Sequence, residues 1–543
     1  MRPIAWAMAL LAGLVVGAHP ALARPARTVT VQILAINDLH GNLEPPWGAE
    51  GLVNKIPAGG VEYLATHLAM ARRDNPNTIL VGGGDLMGAS PLMAGLFDQK
   101  PTIEAVNAMH MTVTAIGNHE LDDGQAVFLK RARAAHFRYL AANVRRTGGG
   151  PPLEPATAVL TVGGVRIGFI GEVLHETRDM VAPSASAGLD FLEESAVANA
   201  AAARLRRQGV RAIVLLIHQG GRQKPGDGAP FDPDGCDGFR GDITGILPKL
   251  SPAIRVVVSG HSHQFYNCLI GGRRVTSAGA FGQGYSAISL TIDRRSDRIE
   301  AVSAHNRVVT RDVAKDPVQT AILEKYRPGT ARVARRIVGS VTEEISRNTN
   351  AASESALGDV IADAYLASAA APERGGAEVG LANSGGIRAV ISGAPGADGR
   401  RAVSYGEVYA AQPFGDRMNV ITLTGEMIRR LLEQQFHPTG RPEILQVSKG
   451  FSYRYRLEAP LGQHVEAGSI SLNGRPIAPD QMVRVVTSDF LVQGGSGLSI
   501  LTEGGAKRLD TVDVDAVAQY LEAHSPVAPG PRDRIVRTDA PAP

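Results

Sequence analysis

Thiols are nearly missing from this chain: its 543 residues include only two cysteines, Cys236 and Cys268. Neither has a second cysteine at the short spacing that zinc sites use, so a thiolate metal site is set aside. An excess of one charge is missing as well, since 56 Lys and Arg against 53 Asp and Glu leave a formal net charge of +3, and no basic run occurs. A polymeric nucleic-acid partner is therefore not expected, whereas a small anionic ligand held by a few local charges stays open. There is no internal repeat, and past the N-terminus no apolar run reaches the roughly 20 residues that a membrane span requires. What remains is ordinary for a soluble globular protein, 44% hydrophobic and 20% charged, without disordered, collagen-like or coiled-coil bias. The length points to two domains or more.

The N-terminus reads as a targeting segment. Arg2 precedes an apolar stretch from Ile4 to Val16, and Ala21-Leu22-Ala23 supplies the small residues of a cleavage site, so residues 1–23 are expected to be a signal peptide. Export would place the mature protein in the periplasm or outside the cell, where an even pair of cysteines forms a disulfide more readily than two free thiols. Cys236 and Cys268 are expected to be joined, in a structural role.

From Thr28 to about Asp316, short β-branched runs alternate with helical stretches, the pattern of an α/β layer fold. Strands are expected at Val29–Ile36, Thr78–Val81, Met111–Ile116, Val165–Ile170, Ala212–Ile217 and Ile254–Val258. Helices are expected at Gly60–Arg73, Gly124–Ala135 and Glu194–Gln208. An amphipathic stretch from Pro317 runs into Pro328-Gly329, which should break a helix there, so residues 317–335 are taken as a linker. A second domain over 336–537 follows, with helices at Ser355–Ala369 and Gly425–Phe436 and strands at Val420–Leu423 and Met482–Thr487. The Pro-rich tail after Ser525 is expected to fray.

Five polar clusters each follow a strand of the first domain: Asp38-Leu39-His40, Gly84-Asp85, Gly117-Asn118-His119-Glu120, His218 and Gly260-His261-Ser262-His263. In open α/β sheets ligands bind outside the carboxyl ends of the strands, so these clusters are placed to converge. Asp, His and one Asn without thiolate suit zinc, manganese or iron, and they are too many for a single ion. Two divalent ions, Zn2+ or Mn2+, sharing a carboxylate would use them all. Such a pair clamps a phosphate and lowers the pKa of a bound water, giving a hydroxide that attacks phosphorus in line.

These blocks, in this order, resemble the calcineurin-like metallophosphatase superfamily. Asn383-Ser384-Gly385-Gly386-Ile387-Arg388, Tyr405-Gly406-Glu407-Val408 leading to Gln412-Pro413-Phe414-Gly415, and Asp489-Phe490 through Gly494-Gly495 resemble the C-terminal domain of secreted 5′-nucleotidases and UDP-sugar hydrolases. The resemblance implies a four-layer αββα domain followed by a smaller mixed α/β substrate-binding domain. It implies one metal held by Asp38, His40 and His263, a second by Asn118, His218 and His261, with Asp85 bridging. His119 and Asp122 match the catalytic dyad, Asn383 and Arg388 the substrate contacts, and Phe414 and Phe490 the two rings that sandwich a nucleobase. Glu120 would hold a ligand in place. Two positions depart from the pattern. Ser496 stands where many relatives have an acidic residue for the ribose, and Ser353 precedes Glu354 where several have arginine, with Arg347 as the candidate to compensate. The reading is a secreted phosphohydrolase of nucleoside 5′-monophosphates, with nucleotide sugars as further candidate substrates, expected to be a monomer or weak dimer. The alternatives are a cyclic phosphodiesterase or sulfur-oxyanion hydrolase with the same metal centre, and a nonenzymatic binding protein.

Overall fold

The computed structural model describes residues 26–46, 48–224, 231–437 and 442–540; the expected signal peptide lies outside the described residues. The chain opens with four parallel strands, β1 (Thr28–Ile36), β2 (Thr78–Gly82), β3 (Met111–Ala115) and β4 (Arg138–Leu140). It then builds a second sheet from β5 (Thr157–Val162), β6 (Val165–Val173), β7 (Ala212–His218), β8 (Ile254–Ser259), β9 (Phe265–Ile270) and β10 (Arg273–Ala278), and returns to the first with β11 (Gly284–Asp293) and β12 (Arg298–Val308). Each sheet has six strands, in the order β12-β11-β1-β2-β3-β4 and β9-β10-β8-β7-β6-β5.

Side-chain alternation along the strands produces the layers. Val31, Ile33, Val113, Ile167, Phe169, Val214 and Val256 form the core between the sheets. On the outer face of the first sheet, Leu34, Leu80 and Met111 pack under α1 (Val61–Asp74), α2 (Lys100–Ala108) and α3 (Gln125–Ala134). On the outer face of the second, Ile170, Ile213 and Val257 pack under α5 (Glu194–Arg207); the short α4 (Thr177–Met180) precedes it. Two sheets between two helical layers is the fold the resemblance implied. Cys236 and Cys268 are joined by a disulfide with Cα atoms 5.2 Å apart.

The expected break at Pro328 does not occur. α6 runs from Pro317 to Ala334 with Pro328 inside it, because its buried face holds it down: Leu323 and Tyr326 belong to the core of the first domain. Gly329 lets the helix press against Phe97, whose ring would lie 2.7 Å from a Cβ at that position. The span read as a linker is thus a packed helix.

The second domain contains α7 (Ala356–Ala369), α8 (Tyr405–Ala411), α9 (Gly425–Glu433) and α10 (Asp513–His524). Its five-stranded sheet uses β13 (Val379–Ala382), β14 (Arg417–Thr424), β15 (Gln446–Val447), β17 (Met482–Ser488) and β18 (Ala506–Val512), in the order β15-β13-β17-β14-β18; β16 (Phe451–Tyr455) belongs to a smaller sheet. The tail does not fray. Its last strand, β19 (Ile535–Arg537), pairs in parallel with β16, and the Arg534 guanidinium grips both oxygens of Asp363 at 2.8 and 2.9 Å.

Candidate active site

The five clusters do converge. Asp38, His40 and His263 place their ligand atoms within 4.8 Å of one another, as do Asp85, His218 and His261. His40 Nε2 lies 3.0 Å from His263 Nε2 and 3.5 Å from Asp85 Oδ2, while His218 Nε2 lies 2.9 Å from the same Asp85 oxygen. Asp85 therefore stands between the two groups, where a bridging carboxylate would.

Each donor is held by a second bond. His40 Nδ1 and His218 Nδ1 donate to the carbonyls of Gly88 and Gly83 at 2.9 and 2.8 Å, which fixes the tautomer and turns each Nε2 inward. Asp38 accepts from Asn37 Nδ2 at 2.6 Å and from the His261 N–H at 2.9 Å. The buried Glu120 carboxylate accepts the N–H groups of Gly117, Asp85, Leu86 and Met87 at 2.5, 2.9, 2.8 and 3.2 Å; it gathers the loops that carry the donors. Burial pushes this carboxyl up to about 7, and the charge of Asp85 adds to the shift.

The fit to a metal pair rests on atoms left over. Asn118 Oδ1 and His218 Nε2 are buried without a hydrogen-bond partner. The 2.9 Å approach of His218 Nε2 to Asp85 lacks hydrogen-bond direction, and two ligands of one ion meet in that way. Burial lowers His40 and His263 well below the usual imidazole range and His261 to about 3, so these rings are neutral, the form that binds metal. Burial raises Asp38 to about 7; it also opposes the charge of Asp85, but His218 and His119 hold that carboxyl low.

The backbone is strained at the same place. Asp38, His40, Asp85, His261 and His263 all have positive φ, between 48° and 70°, at a cost of order 1–3 kcal/mol each. Two glycines make room: a Cβ on Gly117 would collide with the Asp85 carboxylate, and one on Gly84, at φ +89°, would sit 2.7 Å from His218 Nδ1.

His119 adjoins these donors without belonging to either group: its ring lies 5.1 Å from that of His40 and its backbone N–H donates to Asp85 Oδ1 at 2.9 Å. Its Nδ1 faces both oxygens of Asp122 at 2.9 Å, and its ring lies 5.9 Å from the ring of Phe414 in the second domain. The charges of Arg388 and Arg347 act on the cluster from the second domain as well: burial, the neighbouring His40 and then these two guanidiniums depress the affinity of His263 for protons, and burial together with Arg347 lowers Arg388. Arg347 is tied to Glu50 of the first domain at 2.5 Å. A cavity of about 90 Å³ lies between the domains, with Asn42, Phe281, Arg388 and Ala410 in its walls.

The remaining substrate positions are less closely gathered. Asn383 directly follows β13 and opens the turn that leads to Arg388, and its side chain makes no hydrogen bond to the cluster among the described residues. Phe490 is half-buried against the core of the second domain and lies beside Gly495. Ser496 is buried at φ 56°. Two neighbours were not read from the sequence: Asn37, which ties Asp38 to Gly279 O at 2.6 Å, and Phe281, whose ring stands edge-on to His263 at 5.2 Å. Asn37 directly precedes Asp38 and could have been noticed. Phe281 lies in a segment without any polar motif.

Comparison with known proteins agrees with this geometry. Residues 31–265 match the family described as calcineurin-like phosphoesterase, and residues 333–503 match the 5′-nucleotidase C-terminal domain. The cell wall protein Lmo0130 of Listeria monocytogenes is 31% identical over 546 residues, covering 92% of this chain and 67% of that protein. The endonuclease YhcR of Bacillus subtilis is 25% identical over 536 residues; 95% of this chain is covered but only 42% of the relative. Among solved structures, the 5′-nucleotidase precursor from Thermus thermophilus has a TM-score of 0.78 at 24% identity, covering 94% of this chain and all of that one (100%).

Proposed function

This chain belongs to the 5′-nucleotidase family, a metallophosphoesterase domain followed by a 5′-nucleotidase C-terminal domain, and from that premise we propose that it is a secreted dimetal phosphohydrolase acting on nucleoside 5′-monophosphates. The observation that supports the substrate reading is the Phe414 ring 5.9 Å from His119, a spacing at which that ring could serve as a platform for a base within one nucleotide's length of the Asp and His clusters. Asp38, His40 and His263 would hold one ion and Asn118, His218 and His261 the other, with Asp85 shared. Ions held at these positions would supply Lewis-acid stabilisation of phosphoryl oxygens and would activate water.

The chain's own groups do the rest. Arg388 offers a planar pair of donors to the phosphate. Asp122 fixes the His119 ring through Nδ1, leaving Nε2 to meet the phosphoryl group or the leaving oxygen. Phe414 and Phe490 take the base, with stacking worth about 1–3 kcal/mol. The disulfide between Cys236 and Cys268 supports an oxidising compartment, and no described helix is long and apolar enough to cross a membrane.

A second reading is favoured by Ser496, buried and uncharged where a ribose-binding acid would stand: the same centre acting on a cyclic phosphodiester or another oxyanion ester. Phosphate or product release from AMP, UMP, UDP-glucose, 2′,3′-cyclic AMP and an aryl phosphate, with manganese or zinc restored to chelator-stripped protein, separates the two. Preference for the monophosphates is expected. Turnover of the aryl or cyclic esters alone would overturn the nucleotide assignment and leave the metal centre standing.

A further inference from the structure

A third group of potential metal ligands lies at the end of β6, on the α5 side of the second sheet. His175 Nδ1 is 3.2 Å from Glu176 Oε2 and 3.3 Å from Glu194 Oε2, the Glu194 side chain being 1% exposed. All three atoms lie within 4.8 Å of one another. Ligands bound at about 2.1 Å to one ion stand about 3.0–3.4 Å apart in octahedral or tetrahedral arrangement, so the spacing fits.

The independent observation is Glu172. It is completely buried, and neither carboxylate oxygen has a hydrogen-bond partner. Strand alternation directs it: Phe169 faces the core between the sheets, Ile170 faces α5, and Glu172 shares the side of Ile170. Burial pushes its carboxyl well up, and the charges of Glu194 and Glu193 at the head of α5 add to the shift. Asn143 holds the two segments together, donating to Val173 O at 2.5 Å and to Leu192 O at 3.1 Å. Glu176 Oε2 is likewise buried and without a hydrogen-bond partner, its approach to His175 lacking the direction of a hydrogen bond.

Two carboxylates, Glu176 and Glu194, thus face one imidazole, with Glu172 buried on the same side of the sheet; Glu194 Oε1 also accepts the His175 N–H at 3.0 Å, but among the described residues none of the three pairs with Lys or Arg, whereas the neighbouring Glu193 does, with Lys249 at 3.5 Å. One imidazole proton cannot serve them all. Buried carboxylates without partners cost several kcal/mol and are normally paired or bound to metal.

We propose that His175, Glu176 and Glu194, backed by Glu172, form a further divalent-cation site, separate from the clusters of the active site. One nitrogen and carboxylate oxygens without thiolate suit Mn2+ or Zn2+. The half-exposed His175 leaves an entry path from solvent. The ion would staple the end of β6 to the head of α5. α4 follows directly and packs against the Gly495–Gly497 turn of the second domain, so the staple would also steady a contact between domains.

The test counts ions. Untagged full-length protein is stripped with chelator, reloaded with Mn2+ or Zn2+, desalted and analysed by plasma mass spectrometry, beside His175→Ala and Glu176→Gln. The wild type is expected to retain one equivalent more than either variant, three against two if the active-site pair is filled, with turnover unchanged within about twofold. The difference is read whatever the active-site occupancy, so failure of the nucleotidase reading is not confused with failure here. Equal metal content in wild type and variants would mean that a protonated histidine bridges the carboxylates, and the proposal would be wrong. Should His175→Ala not fold, Glu176→Gln, at a partly exposed position, decides in the same way.

Discussion

At the scale of single residues, the place of His119 beside but outside the two ligand groups makes a clear expectation. His119→Ala should keep both active-site ions and lower kcat by roughly a hundredfold or more, the usual scale for a proton-transfer or charge-stabilising group; metal analysis and steady-state kinetics on the same sample check it. Unchanged turnover would remove the dyad from the reaction. Phe414→Ala should raise KM for a nucleoside monophosphate and leave an aryl phosphate nearly untouched, because the ring meets only the base; equal losses on both would contradict the platform. Most of the site was legible from residue type and position: an acid or histidine after strand after strand has few structural explanations. What was hidden is the left-handed backbone of Asp38, His40, Asp85, His261 and His263. No side chain announces that conformation, since only the surrounding hydrogen bonds impose it. Phe281 was hidden because its ring only packs and its N–H donates to the Asp38 carbonyl at 2.7 Å, neither of which leaves a mark in the sequence.

At the scale of elements, periodicity placed the strands and helices it named within about three residues but did not find strands β9 to β12 or helix α2, and the outright misreadings came from treating local breakers as decisive. Pro328 removes one helical hydrogen bond, but α6 has Leu323 and Tyr326 buried just ahead of that turn, and tertiary packing outweighs the loss. The tail was misread because its anchor is a charge. Arg534 holds Asp363 in a buried, bidentate pair, which composition alone could not reveal. Arg534→Ala should therefore destabilise the second domain by about 3–5 kcal/mol, the cost of stranding a buried partner, as measured by urea unfolding. Glu354 accepts the Arg534 and Ile535 N–H groups, and burial, with Asp359 adding, raises its carboxyl from the usual 4.5 to about 7. A carboxyl raised on folding takes up a proton between those two values, so stability from this group is greatest below about 4.5 and falls as pH rises to 7. Unfolding measured at pH 5 and pH 7.5 should show that decline in the wild type and less of it in Glu354→Gln; the same slope in both would sink the assignment.

At the scale of the whole molecule, the proposed active-site ligands come from both sheets. Asp38, His40, Asp85 and Asn118 follow strands of the first, whereas His218, His261 and His263 end or follow strands of the second. The shortest approaches cross between them, His40 to His263 at 3.0 Å and Asp85 to His218 at 2.9 Å. An ion at either cluster would therefore join the sheets at their open edge, where the inter-sheet core ends and two carboxylates are otherwise buried side by side. Binding that is specific to the folded state adds about 2.7 kcal/mol per site at a hundred times Kd. The second domain has cores of its own, one around Val338, Ile361 and Leu521 and another around Leu423, Leu431 and Tyr453, and holds none of these ligands. Chelation should abolish phosphate release and lower the unfolding temperature of the first domain, while the second domain moves little, as followed by differential scanning calorimetry; manganese or zinc should restore both. An equal shift in the two would mean that the contacts across the cleft, Arg347 with Glu50 among them, make the domains unfold together. No shift in either would mean that protons already satisfy the clusters and that the ions contribute to the chemistry without holding the sheets.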